Sequence, residues 1–287
     1  VERSRGLGDV YKRQSFFYPF ISSFYMGAGD KHPKWKEEIR NLFDSSACAI
    51  IEAKFAPDQI IEMNSKPLLR MHKYQYLPPI TKLYPFLLLD IKYSPSPDKT
   101  EESLILWDLI DGEMIINTKD WKKTHGFSDC IRESSSRLEL QILLTLAKNK
   151  GSLPGNSLLQ LLHWDKTTFT AWSESCLRKS LITCHDNVYR IHMQDPLLFS
   201  TPKTTFHENF VIKTDDNGNS RIPKQFSPNQ IKRIARLIFG EDFAIRNIKP
   251  IFLPIYIITV QNSDNSLQTT YWNSLTGKQI IEHAFIE

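Results

Sequence analysis

"RLELQILLTLAKNKGSLPGNSLLQLLHWDKTTFTAWSESCLRKSLITCHDNVYRIHM", residues 137–193, is the stretch on which the fold turns. Leu140, Leu143, Leu144 and Ala147 recur three and four residues apart, the spacing that lines one face of a helix. Gly151 ends that helix. "SLLQLLHW" (157–164) predicts a short second helix with Leu158, Leu161 and Leu162 as its apolar positions. Asp165 suits the N-cap of a third, because its carboxylate can accept the amides left open in the first turn. That helix is expected to bury Phe169, Trp172 and Cys176. "ITCH", "DN" and "VYRIHM" then predict a tight hairpin whose Tyr189, Ile191 and Met193 alternate inward.

Helix, short helix, helix and hairpin in this order resemble the winged helix-turn-helix superfamily. The resemblance is carried by Leu158, Leu161 and Leu162, by Phe169 and Cys176, and by Ser180-Leu181-Ile182. It implies a module that docks on duplex DNA or on protein. On DNA, the third helix would enter the major groove and the hairpin would reach the backbone. The contacts would come from Thr167, Thr168, Thr170, Ser173 and Arg178, with Lys166, Lys179 and Arg190 on phosphates. Residues 137–193 hold seven basic and four acidic side chains, a local positive excess suited to non-specific phosphate contact.

Working outward, residues 15–131 read as an α+β unit. "KHPKWKEEIRNLFDSS" predicts a helix over 33–44 through Trp35, Ile39, Leu42 and Phe43. "ACAIIEAKF" (47–55) and "KLYPFLLLDIKYS" (82–94) predict strands. "SLILWDLIDGEMIINT" (103–118) is apolar on both sides of Asp111-Gly112, the pair that supplies two positive φ values in a tight hairpin. "RESSSR" (132–137) is a polar joint. Residues 203–287 form a C-terminal α+β unit. There "SPNQIKRIARLIFG" (227–240) carries Ser227 as N-cap, Pro228 at the first helical position and Gly240 at the end. Lys232, Arg233 and Arg236 lie off its buried stripe as a basic patch. A helix followed by a hairpin ending "YWNSLTGK" resembles the PepSY-type unit, with Asn273 where an acid is common. The fold class expected is thus α+β in three parts.

Motifs that carry chemistry are few. "AIIEAK" and "LLLDIK" each place an acid and a lysine two residues apart, which puts both on one face of a strand. With Pro57-Asp58 upstream, Asp58, Asp90 and Lys92 resemble the PD-(D/E)xK nucleases, an alternative that implies a Mg²⁺-dependent reaction. Cys176, Cys184, His185 and His192 match no zinc-ligand spacing, so no metal or other cofactor is expected. A glycine-rich phosphate loop, G-x-S-x-G and H-E-x-x-H are all missing from the sequence. The leading expectation is therefore a non-catalytic binding protein that contacts double-stranded DNA. A protein-docking or assembly factor is the third reading.

The 287 residues carry a net charge of +4 and 41% hydrophobic residues, an ordinary globular balance. Four cysteines without a C-x-x-C pair fit a reducing compartment, and the cytoplasm is the expected location. No transmembrane run is expected. "DVYKRQ" (9–14), read as codons GAT GTG TAT AAG AGA CAG, resembles the end of a transposase-based sequencing adapter. Residues 1–14 are therefore expected to be an artefact that packs against nothing. On that reading the natural start, and any signal peptide with it, is lost. The C-terminus at "AFIE" is expected to be cut as well.

Overall fold

The computed structural model describes residues 24–25, 42–43, 48–68, 74–96, 98–207, 210–214 and 218–280. Residues 1–14 and most of 33–44 lie outside these; of the expected helix, Leu42 and Phe43 are helical and Leu42 is buried. The chain forms strands β1 (Phe24–Tyr25) and β2 (Ala49–Ile51), helix α1 (Pro57–Leu68), and strands β3 (Tyr74–Tyr76), β4 (Ile80–Ser96), β5 (Lys99–Asp108), β6 (Met114–Asn117) and β7 (Lys122–Lys123). Helices α2 (Phe127–Arg132) and α3 (Arg137–Lys148) follow, then β8 (Ser152–Pro154), α4 (Gly155–Leu162), α5 (Lys166–Arg178), β9 (Ile182–His185) and β10 (Val188–Ile191). The last elements are β11 (Val211–Thr214), β12 (Ser220–Arg221), α6 (Pro228–Phe239), β13 (Ala244–Asn262), β14 (Leu267–Asn273) and β15 (Gln279–Ile280). The composition is mixed α+β.

Two long strands organise the molecule. β4 and β13 run antiparallel from Ala244↔Lys92 to Pro254↔Leu83, and β5 flanks β4. Strands from both ends of the chain thereby share one sheet. Its centre is buried on both faces, which explains the near-continuous apolar run "FLLLDI". Leu87, Leu89, Ile91, Ile105 and Trp107 face one core, while Phe86, Leu88, Leu104 and Leu106 face the other. This is the period-two alternation of a pleated strand.

The sheet is built from two copies of one motif. "FAPDQI" (55–60) and "FSPNQI" (226–231) each enter a helix, and "WDLIDG" (107–112) and "WNSLTG" (272–277) each leave a long strand. β2 pairs parallel with β13, and β12 pairs parallel with β4. The Lys54 and Phe55 N–H groups donate to Ser274 O, as those of Gln225 and Phe226 donate to Leu109 O. Both helix starts are closed by a glutamine: Ala56 N donates to Gln59 Oε1 and Ser227 N to Gln230 Oε1, each at 2.8 Å. The pairs Leu83↔Pro254 and Pro85↔Phe252 are equivalent, so a pseudo-two-fold axis passes at Tyr84↔Leu253.

Each helix covers the strands of the other copy. Ile60 of α1 packs with Tyr256, Ile258 and Trp272, whereas Ile231 of α6 joins the core of Leu87, Leu89 and Trp107. The Phe226 ring lies where a Cβ on Gly112 would sit, 2.8 Å away, and Phe55 takes that place beside Gly277 at 3.3 Å. Asp111-Gly112 is not the two-residue turn expected from the sequence. Residues 109–113 form a longer loop in which Gly112 alone has positive φ, at 78°. The reason is Asp108, fully buried, whose Oδ1 accepts the N–H groups of Ile110 and Asp111 and shapes the loop.

Residues 137–193 come between the two copies. Ser136, from the polar joint, caps α3 in a reciprocal box with Glu139. α3 buries Ile142 and Leu146 as well as Leu140 and Leu143, a wider stripe than the sequence suggested, because it packs against α4, α5 and α6 together. Leu161, expected inside, is 51% exposed, while Leu158 carries the contact of α4. β8 was not foreseen; it pairs with β10, giving a small sheet in the order β8-β10-β9. The tight turn lies at Asp186 (φ 49°) and Asn187 (φ 59°), the conformation asparagine and aspartate tolerate best.

Candidate nucleic-acid interface

α5 begins where the Asp165 carboxylate accepts from Thr168 N at 2.9 Å and from the Thr168 hydroxyl at 2.6 Å. Phe169, Ser173 and Cys176 then turn inward, and the Phe169 ring meets Tyr189 edge-on at 5.5 Å. The opposite ridge, at four-residue spacing, reads Lys166, Thr170, Glu174 and Arg178, all exposed. Thr167 is exposed beside it, and Arg190 is exposed on β10.

The remaining three expected contacts are committed inside the unit. Thr168 is half-buried in the cap of α5. Ser173 is 2% exposed and its hydroxyl donates to Thr170 O. Lys179 donates to Glu139 Oε2 at 2.9 Å. Glu139 is fully buried at the base of α3, and also accepts from Ser136 N at 2.7 Å and from the Ser175 hydroxyl at 2.7 Å. Burial alone would raise the Glu139 carboxyl, but the Lys179 ammonium and these donors outweigh it and hold it below its ordinary value.

The basic patch on α6 divides similarly. Arg233 Nη2 donates to the carbonyls of Ser134 and Ser135, closing the joint before α3. Lys232 is half-buried, and Arg236 is exposed. The acid–lysine strands do not come together. Asp90 accepts from Asn247 Nδ2 at 3.1 Å, and Lys92 is exposed next along β4. Asp58 opens α1, whose approach is held at Ser274 opposite Pro254. Asn247 and Pro254 stand seven steps apart along the strand, about 23 Å at ~3.3 Å per step. Glu52 of "AIIEAK" pairs with Lys213. Among the described residues no three His, Cys, Asp or Glu side chains gather to hold a metal. Cys176 is fully buried in the core, with its thiol pushed up to about 12, chiefly by burial.

Sequence reasoning passed over a cleft of about 410 Å³ beside the pseudo-two-fold axis, lined in part by Tyr84, Trp121 and Asn273. Its signal was the recurrence of W-[DN]-x-x-[DT]-G, which places two equivalent turns about the axis. No helix among the described residues is long and apolar enough to cross a membrane. Comparison with protein-family models, with curated proteins and with solved structures gives no match.

Proposed function

We propose that this chain is a non-catalytic cytoplasmic binding protein. Its residues 137–193 act as a winged helix on duplex DNA, between N-terminal and C-terminal α+β parts that share one sheet. The observation that carries the reading is the exposed ridge of α5 together with the exposed turn of the β9–β10 hairpin. Lys166 and Arg178 lie twelve residues apart at the two ends of that ridge, about 18 Å along the axis. Two cations so placed can meet two phosphates, with Thr167 and Thr170 between them toward the groove. Arg190 extends the basic surface onto the hairpin. Glu174 interrupts the ridge and fits acceptance from a cytosine amino group.

The test is Lys166→Glu with Arg178→Glu, measured as affinity for duplex DNA across a salt series. Each lost phosphate contact lowers the salt slope by roughly 0.9, so the double variant should bind more weakly and with a slope lower by about 2. Unchanged affinity and slope would remove this surface from DNA recognition and favour protein docking, to which the exposed Leu161 of α4 would then contribute.

A further inference from the structure

We propose that the cleft beside the pseudo-two-fold axis binds a small organic carboxylate with an apolar body, a function separate from the α5 ridge. The case rests on how the two copies of the turn differ. In the first copy the polar positions are Asp108, Asp111 and Glu113, and partners from within the chain satisfy them. Lys123 Nζ donates to Asp108 Oδ2 at 3.0 Å and to Asp111 Oδ2 at 2.6 Å. Glu113 accepts from the Thr124 hydroxyl and from the amides of Gly126 and Ser128.

The second copy holds Asn273, Thr276 and Lys278 at the same three places. Its backbone geometry is retained. Asn273 Oδ1 accepts from Leu275 N at 2.9 Å and Thr276 N at 3.1 Å, as Asp108 Oδ1 does in its own turn. Lys278 N donates to Thr276 Oγ1, as Glu113 N donates to Asp111 Oδ1. The side-chain chemistry is inverted, from three acids to two neutral side chains and a cation. Two backbone amides fix the Asn273 oxygen toward the loop, so its nitrogen must point away from it. Nδ2 is buried in a residue 2% exposed and has no partner among the described residues. A buried amide without an acceptor is costly. By analogy with the first copy, the missing partner has the opposite sign to Lys123: an anionic acceptor.

The surroundings fit such a ligand. Asn273, Thr276 and Lys278 all line the cleft, and Lys278 is exposed. The lining is also aromatic. Tyr84 and Phe86 stack with centroids 5.1 Å apart, and Trp121 meets Phe86 edge-on at 5.3 Å. A volume of about 410 Å³ suits a fragment-sized molecule. Asp120 at the rim carries negative charge, which selects a monocarboxylate over a dicarboxylate.

The experiment titrates the full chain with 3-phenylpropionate and, separately, with its neutral amide, following the side-chain N–H signals of Asn273 and Trp121 by NMR. Saturable shifts of both signals with the acid are expected, with affinity about tenfold lower for the amide, the worth of a charge-assisted hydrogen bond. Asn273→Asp should fold, since aspartate serves in the first copy, and should lose binding. Lys278→Glu, at an exposed position, should weaken binding about tenfold or more without touching the core. Motionless Asn273 signals, equal affinity for acid and amide, or an unchanged Kd in Lys278→Glu would each overturn the proposal.

Discussion

Lys179, one residue past the end of α5, donates at 2.9 Å to the fully buried carboxylate of Glu139 in the first turn of α3. The two residues are forty apart in the chain, and their bond fixes where α5 leaves its ridge relative to α3. Glu139 also accepts from the N-cap of its own helix and from Ser175. The orientation of the exposed ridge thus depends on a polar network beneath it rather than on apolar packing alone.

Removing one partner of such a pair leaves the other desolvated. Lys179→Met is expected to cost about 3 kcal/mol in denaturant unfolding, the range for breaking a buried ion pair. The folded Glu139 carboxyl is held below its ordinary value. Its stabilisation is therefore present above the unfolded pKa of 4.5 and is lost as pH falls through the lower folded value. Glu139→Gln should unfold at lower denaturant than the parent at pH 7, with the gap narrowing below about pH 4.5. A gap that does not change with pH would assign the cost to packing.

Phe169 is 7% exposed and meets Tyr189 of β10 edge-on. Phe169→Ala should cost about 3–4 kcal/mol. A double-mutant cycle with Tyr189→Leu should return a coupling of about 1 kcal/mol. A near-neutral Phe169→Ala would place this face of α5 outside the core.

Local signals reached far in this chain. Asp165 and Ser227 cap α5 and α6 where side-chain acceptors met apolar periodicity, while Ser136, read only as part of a polar joint, caps α3. Asp186-Asn187 gave the hairpin turn. What stayed hidden was long-range. Nothing in "KLYPFLLLDIKYS" says that it pairs with residues 244–254, because a strand buried on both faces carries no register mark. Leu161 has the right spacing for a core position, but α4 is short and packs through Leu158. Ser173 and Lys179 look solvent-facing by residue type; a hydroxyl bonded to Thr170 O and a buried acid forty residues away drew them inward. Asp108, the last residue of β5, shapes the turn that follows through two backbone bonds that its residue type does not announce.

The duplication predicts paired effects at its glycines. Gly112 and Gly277 have φ of 78° and 66°. An alanine Cβ would come within 2.8 Å of Phe226 at the first and 3.3 Å of Phe55 at the second. Both substitutions should destabilise, by at least about 1 kcal/mol from backbone strain, with Gly112→Ala the worse. Phe226→Leu should recover part of the Gly112→Ala loss and none of that at Gly277. Equal costs at the two positions, with no rescue, would mean that the ring contact contributes nothing beyond the φ requirement.

Asp108 performs two tasks that substitution can separate. Oδ1 caps the loop through Ile110 N and Asp111 N, and Oδ2 takes the Lys123 ammonium. Asp108→Asn keeps an oxygen for the cap, as Asn273 does in the second turn, but gives up the ionic contact. Lys123 retains Asp111 at 2.6 Å, so the expected cost is about 1–2 kcal/mol, below that of an unpaired buried charge. Asp108→Ala loses the cap as well and strands two amides at a buried position, each worth about 1 kcal/mol or more. Unfolding should therefore rank the parent above Asp108→Asn and Asp108→Ala last. Asn273→Ala should cost about as much as the step from Asp108→Asn to Asp108→Ala, because that step and this substitution remove the same two backbone contacts. A cost at Asn273 well outside that step would show that the two turns, alike in backbone geometry, are not held by the same bonds.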